Sequence, residues 1–366
     1  MERRTSPVEL LWDLVFVFAI TQVTSLLAHD LSWAGFGKGM LVLALVWWAW
    51  SAFVWASNAA DPDSHVLRAS LFLALILIFI AGLALPQAFG DNATTFAVAY
   101  TGVRLLHLAL YADASRRGNA SWRAIAGFAV TVLIGMALLV VGSFLDESIR
   151  VPLWVAAAAI DYAGPAWLTR ERLRGLQQVA VAHFAERYSL FIIICLGESI
   201  VAIGVGASAH EIDATLILAV ALSLVITIGL WWTYFGTLSA SAEERLRDHD
   251  DPVLAAADAY SYIHLILVAG IIVFAVGVKV AVAHPDDPLP EGARLALCGG
   301  VAGYLAGLVA FRLRLLGTVD WDQLAGAAGA MAVFAVAGSA HAWVTAAILA
   351  ALLAVLVGRE LITSHP

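Results

Sequence analysis

Glu9 and Asp13 stand four residues apart at the entrance of an almost unbroken apolar run, PVELLWDLVFVFAITQVTSLLA, residues 7–28. On a helix that spacing puts both carboxylates on one face, about one turn apart. A carboxylate in apolar surroundings costs several kcal/mol unless it is paired or reaches water. A second run, HFAERYSLFIIICLGESIVAIG, residues 183–204, carries His183, Glu186, Arg187 and Glu198. His183, Arg187 and Glu198 share one helical face, but Arg187 and Glu198 are about three turns apart, too far to pair with each other. Each therefore needs a partner on another helix or in a water-filled cavity. A third polar stripe, Tyr100, Arg104, His107 and Tyr111, recurs at helical spacing. The economical pairing is Glu198 with Arg104, and Arg187 with Asp13 or Glu9. Such groups either line a path for a solute, ion or proton or lock helices in register. Glu9, Glu186 and Arg187 also lie close enough to a span end to snorkel.

His107, His183 and His264 come from three different apolar segments. Three histidines can bind zinc, but no H-E-x-x-H or comparable spacing supports a metal here, and no metal or other cofactor is expected. Proton transfer or hydrogen bonding suits an imidazole that titrates near neutrality. Cys195 and Cys298 both fall within apolar segments and give neither a disulfide framework nor a metal spacing. There is no nucleotide-binding motif, no Ser-His-Asp arrangement and no basic face for nucleic acid.

The elements that must position these groups are membrane helices. The chain of 366 residues is 62% hydrophobic and only 13% charged, with a mean hydropathy of +0.88, against about 25% charged in a soluble domain. Apolar runs long enough to cross a bilayer recur throughout. They predict an all-α polytopic membrane protein of about twelve spans: 8–28, 39–57, 66–88, 95–113, 123–144, 151–169, 184–207, 213–236, 255–281, 293–316, 324–339 and 342–358. The last two full helices are short and closely spaced, and a hairpin that stops short of crossing fits them too. With the N-terminus inside, the cytoplasmic side holds Arg3, Arg4, Arg68, Arg116, Arg117, Arg123, Arg170, Arg172, Arg174, Arg245, Arg247, Arg312, Arg314 and Arg359. Only Lys38, Arg150, Lys279 and Arg294 fall outside, and this bias predicts cytoplasmic termini. Arg3-Arg4 is followed by no small-residue cleavage site, so the first helix is expected to be retained.

Paired features suggest a tandem repeat. Spans 1 and 7 open on a glutamate. Spans 2 and 8 carry Trp47-Trp48-Ala49-Trp50 and Trp231-Trp232-Thr233-Tyr234, and Asp61-Pro62 and Asp251-Pro252 follow. Two six-helix halves of like orientation are expected, 1–170 and 183–366, with a cytoplasmic linker at 171–182. The tryptophan clusters read chiefly as packing or interfacial residues. Gly299, Gly303 and Gly307 recur every four residues and predict a close-packing face, for internal packing or for a homodimer.

The run Glu9-Leu10-Leu11-Trp12-Asp13-Leu14-Val15-Phe16-Val17-Phe18-Ala19-Ile20-Thr21-Gln22 closely resembles the first-helix signature of the bacterial low temperature requirement A family. Glu186-Arg187-Tyr188-Ser189-Leu190-Phe191 with Leu196-Gly197-Glu198-Ser199 resembles its second signature, and the likeness extends over essentially the whole chain. It implies a multi-pass bacterial membrane protein of a family named for growth in the cold, and supplies no substrate. Asp13 to Thr21 is also similar to the first helix of a lysosomal and bacterial family of potassium and proton channels built on six-helix units. Here Leu11-Trp12 replace that family's Phe-Ser, and Leu190 stands where the second half would carry aspartate.

The leading expectation is a transporter or channel-like pathway in the bacterial cytoplasmic membrane for a small solute or ion, with proton coupling by carboxylates or histidine. Its lining would draw on Glu9, Asp13, Arg104, His107, His183, Glu186, Arg187, Glu198 and His264. Two readings remain beside it: a membrane-embedded enzyme acting on a lipid or isoprenoid, and a structural or sensory protein whose buried pairs only set helix register. The expected partners are the bilayer and a small solute, ion or lipid ligand.

Overall fold

The computed structural model describes residues 5–59, 64–117, 122–165, 180–208, 210–236 and 238–363. Most of the expected linker, Asp61-Pro62, Arg3 and Arg4, and Arg170, Arg172 and Arg174 lie outside these residues. The helices are α1 (Pro7–His29), α2 (Trp33–Ala59), α3 (His65–Ala84), α4 (Ala93–Arg116), α5 (Trp122–Ser143), α6 (Glu147–Ala163) and α7 (Val181–Ala207). They continue with α8 (Ala214–Phe235), the short α9 (Leu238–Arg247), α10 (Pro252–Ala283), α11 (Glu291–Leu316), α12 (Trp321–Val336) and α13 (Ala342–Thr363). Within α10 the turn Ala257–Ile263 widens to a π-helix. No strand occurs among the described residues, whose single β-type pairing is an isolated bridge between Pro288 and His341.

Local sequence sets the helix starts. Ser64, Asp213, Asp251 and Asp320 each accept a backbone N–H three residues on, from Leu67, Leu216, Leu254 and Gln323, which satisfies donors that a first turn leaves open. At α1 the capping box Ser6-Pro7-Val8-Glu9 works through its acid: Ser6 N donates to Glu9 Oε2 at 2.9 Å. Gly317 closes α11 at φ 70°, a left-handed conformation that glycine adopts without a Cβ clash.

Ten helices among the described residues are long and apolar enough to cross a bilayer. Helix α6, with 17 residues, and α12, with 16, are shorter. Large apolar side chains such as Leu14, Val98, Ile217 and Val355 face outward, while arginines and carboxylates are buried. That arrangement suits a hydrocarbon solvent and would be an aggregation liability in water.

The chain divides into two compact units, Met1–Leu26 with Trp33–Arg187 and His249–Ser261, and Leu27–Ser32 with Tyr188–Asp248 and Tyr262–Pro366. In the first, α3 packs on α4, α4 on α5, α5 on α6, and α2 on both α4 and α6. In the second, α10 packs along α11, α11 on α12, and α13 on α8. The α10–α11 crossing is built by glycine. A Cβ at Gly277 or Gly300 would overlap the backbone of Leu297 or Phe274, and one at Gly270 would lie 2.5 Å from Tyr304 N. Gly303 and Gly307 also meet α10, but Gly299 meets only Leu295 of its own helix. The close face thus runs through Gly300 and not through Gly299. Gly300→Val is expected to lower stability by about 1–3 kcal/mol through forced separation of the helices, read as a lower melting temperature in detergent. Gly299→Val should leave it nearly unchanged. Equal losses would contradict this assignment of the face.

Candidate functional site

In the first unit the entrance of α1 meets the start of α7. Glu9 and Asp13, one turn apart on α1, are 1% and 3% exposed, and Arg187 of α7 is 1% exposed. Arg187 holds Asp13 in a two-pronged pair: Nε donates to Oδ2 at 2.9 Å and Nη2 to Oδ1 at 2.6 Å. This is the planar fork geometry that makes guanidinium–carboxylate pairs short and directional. Arg187 Nη1 lies 3.3 Å from Glu9 Oε1. Trp50 of α2 completes the shell of Asp13, donating Nε1–H to Oδ1 at 2.8 Å. One aspartate is thus tied to two other helices.

Glu9 has a double role. Besides its capping contact it accepts from Ser6 Oγ at 2.8 Å, and His183 Nε2 lies 3.2 Å from Oε1 and 3.3 Å from Oε2. Opposite an ionised Glu9, which only accepts, His183 Nε2 would be the donor in this contact. His183 Nδ1 and Arg187 Nη1 are buried without a hydrogen-bond partner. Arg187 Nη1 faces Glu9 Oε1 without hydrogen-bond geometry, and of these two nitrogens only His183 Nδ1 can take up a proton, because a guanidinium already carries its full set.

A second ion pair lies deeper along α4 in the same unit. Arg104 Nη2 donates to Asp161 Oδ1 of α6 at 2.7 Å, with the two side chains 2% and 1% exposed. Arg104 Nη1 lies 3.5 Å from His107 Nδ1, and Tyr100, one turn away, donates its hydroxyl to Leu45 O at 2.9 Å. Arg104 Nε and Asp161 Oδ2 are buried without hydrogen bonds. The expected pairing of Arg104 with Glu198 is therefore corrected: α4 turns Arg104 toward α6, where Asp161 is the carboxylate within reach. Glu198 is buried in the second unit.

His264 is buried in the second unit, with Tyr234 Oη 2.9 Å from its Nε2. Glu186 is exposed and accepts from Thr5 Oγ1 at 2.8 Å, the one expected site residue that stays at the surface. The three histidines have different settings: His183 on Glu9, His107 beside Arg104, His264 on Tyr234. Among the described residues no group of three or more His, Cys, Asp or Glu side chains is placed to hold a metal ion. The second unit also holds a cavity of about 490 Å³ lined in part by Thr233, Leu238, Arg312, Asp320, Gln323 and Glu360. None of the expected site residues lines it.

Sequence reading missed Asp161, Trp50 and Ser6. Asp161 carried a usable signal, being a lone acid in VAAAAIDYA. Ser6 did as well, through the spacing of Ser6-Pro7-Val8-Glu9. Trp50 stands in an aromatic cluster, where an indole reads as packing.

Apolar helices with outward-facing aliphatic side chains and inward-facing ion pairs define an integral, multi-pass membrane protein. The profile of the bacterial low temperature requirement A protein (LtrA) matches residues 4–358, and the chain belongs to that family. It is similar to an uncharacterized protein of Rhizobium meliloti (strain 1021), 31% identical over 305 residues that cover 82% of this chain and 75% of the relative. No solved structure matches the chain.

Proposed function

We propose that this protein forms a transport or channel-like pathway for a small solute or ion, with proton coupling through the Glu9–His183 contact. The observation that carries the reading is the fully buried cluster of Glu9, Asp13, Trp50, His183 and Arg187, five polar groups from α1, α2 and α7 held together within apolar helices. Ionisable groups persist within membrane helices chiefly where they move protons, ions or solutes. Arg187 fixes the position of Asp13, His183 exchanges a proton at Nδ1 or against Glu9, and Arg104 with Asp161 supplies a second polar station in the same unit.

The same reading has twelve spans, with α6 and α12 as its two short helices, both termini in the cytoplasm, and the protein in the bacterial cytoplasmic membrane. The arginine bias supports that orientation. The paired glutamates, aromatic clusters and Asp-Pro steps support two six-helix repeats, 1–170 and 183–366. Glu198 and His264 belong to the pathway through the second repeat.

The test is flux in proteoliposomes of potassium, sodium and protons, comparing wild type with Glu9→Gln and His183→Gln after both are shown to be folded. Both variants should lose most of the flux, about tenfold or more. Unchanged flux of every ion would remove Glu9 and His183 from the pathway.

A further inference from the structure

We propose that the second unit contains a proton relay, Ser239–Ser189–Tyr234–His264, that links half-buried hydroxyl groups to a fully buried imidazole. It rests on the transport reading for its use by the protein, but the geometry stands apart from the Glu9–Arg187 cluster. Ser239 of α9 and Ser189 of α7 have their Oγ atoms 3.3 Å apart, and Ser189 Oγ lies 3.4 Å from Tyr234 Oη of α8. Tyr234 Oη lies 2.9 Å from His264 Nε2 of α10. Four helices thus each contribute one exchangeable group to a continuous series.

Exposure falls along this series in one direction. Ser239 and Ser189 are half-buried, while Tyr234 is 1% and His264 0% exposed. The two serines extend the buried Tyr–His contact to half-buried hydroxyl groups on two further helices. Titratable side chains facing the imidazole include Tyr234 from α8 and Tyr188 from α7, whose ring centroid is 5.5 Å away, and α11 presents Phe311 at 4.6 Å.

The transfer balances without a further reactant. A hydronium ion gives its proton to Ser239 Oγ, and Ser239 passes its own hydroxyl proton to Ser189. Ser189 passes one to Tyr234, and Tyr234 passes one to His264 Nε2. Each hydroxyl gains one proton and loses one; hydronium becomes water and imidazole becomes imidazolium. Rotation of the three hydroxyls resets the chain.

The test is a rapid pH jump on the full chain in neutral detergent, followed by the infrared ring band of isotope-labelled histidine, with His264→Gln identifying the His264 component. His264 should follow the jump in wild type. Tyr234→Phe keeps the ring and removes the relay hydroxyl, and it should slow the response by about tenfold or more. Ser189→Ala, at a half-buried position, should slow it too and serves if the tyrosine variant does not fold. Phe311→Leu disturbs packing against the imidazole without touching a hydroxyl and should leave the rate unchanged. Equal rates in wild type, Tyr234→Phe and Ser189→Ala would overturn the relay, as would a His264 that does not protonate after the jump. The measurement needs no membrane, so failure of the relay is separable from absence of flux.

Discussion

Arg187→Leu is expected to be among the most destabilising single replacements in the chain, by about 3–5 kcal/mol. The loss comes from what stays behind. Asp13 would keep only the Trp50 indole donor of the contacts described above, and Glu9 would lose the guanidinium beside Oε1. Both carboxylates would remain buried. The double variant Arg187→Leu, Asp13→Leu should recover much of that loss, because removing both members of a buried pair takes away the desolvation cost along with the attraction. Thermal unfolding and size-exclusion profiles in detergent read both effects. A single variant that melts like wild type would mean that the pair does not form.

Asp161→Leu is expected to cost a similar amount, about 3–5 kcal/mol, because it strands Arg104 with only His107 Nδ1 at 3.5 Å. Adding Arg104→Leu should restore part of it. The contrast with Glu198 is informative. The sequence pairing of Arg104 with Glu198 requires Glu198→Leu to strand the same guanidinium, so that Arg104→Leu would rescue it. The geometry requires Arg104→Leu to rescue Asp161→Leu and not Glu198→Leu. Rescue of the glutamate variant would contradict the α4–α6 pair.

These two pairs show where the sequence was legible. The Arg187–Asp13 pair could be read because Glu9 and Asp13 share one helical face and Arg187 sits at a matching depth in an apolar helix. Depth alone matched Arg104 equally well to Asp161 and Glu198. The choice between them depends on how α4 is rotated against its neighbours, and no local pattern records that. The long apolar helices were readable because hydropathy and length decide them, with α6 and α12 the shortest of the expected spans, whereas the ten-residue, polar α9 gave no such signal. Of the expected glycine face, Gly303 and Gly307 meet α10 but Gly299 does not, and Gly300 makes the close approach instead, because a four-residue period marks a stripe without fixing its angle to the partner helix. Trp50 was hidden by its neighbours Trp47 and Trp48, since an indole inside an aromatic cluster does not announce that its N–H faces a carboxylate.

The buried cluster can be a pathway or a lock, and one comparison separates them. Wild type and the double variant Arg187→Leu, Asp13→Leu would be reconstituted at equal amounts, after equal melting behaviour is established, and assayed together for potassium, sodium and proton flux. A pathway predicts flux in wild type and its loss in a double variant that is still folded. Equal flux in the two proteins, or none in wild type, would contradict the account and leave the cluster as a device that holds α1, α2 and α7 in register.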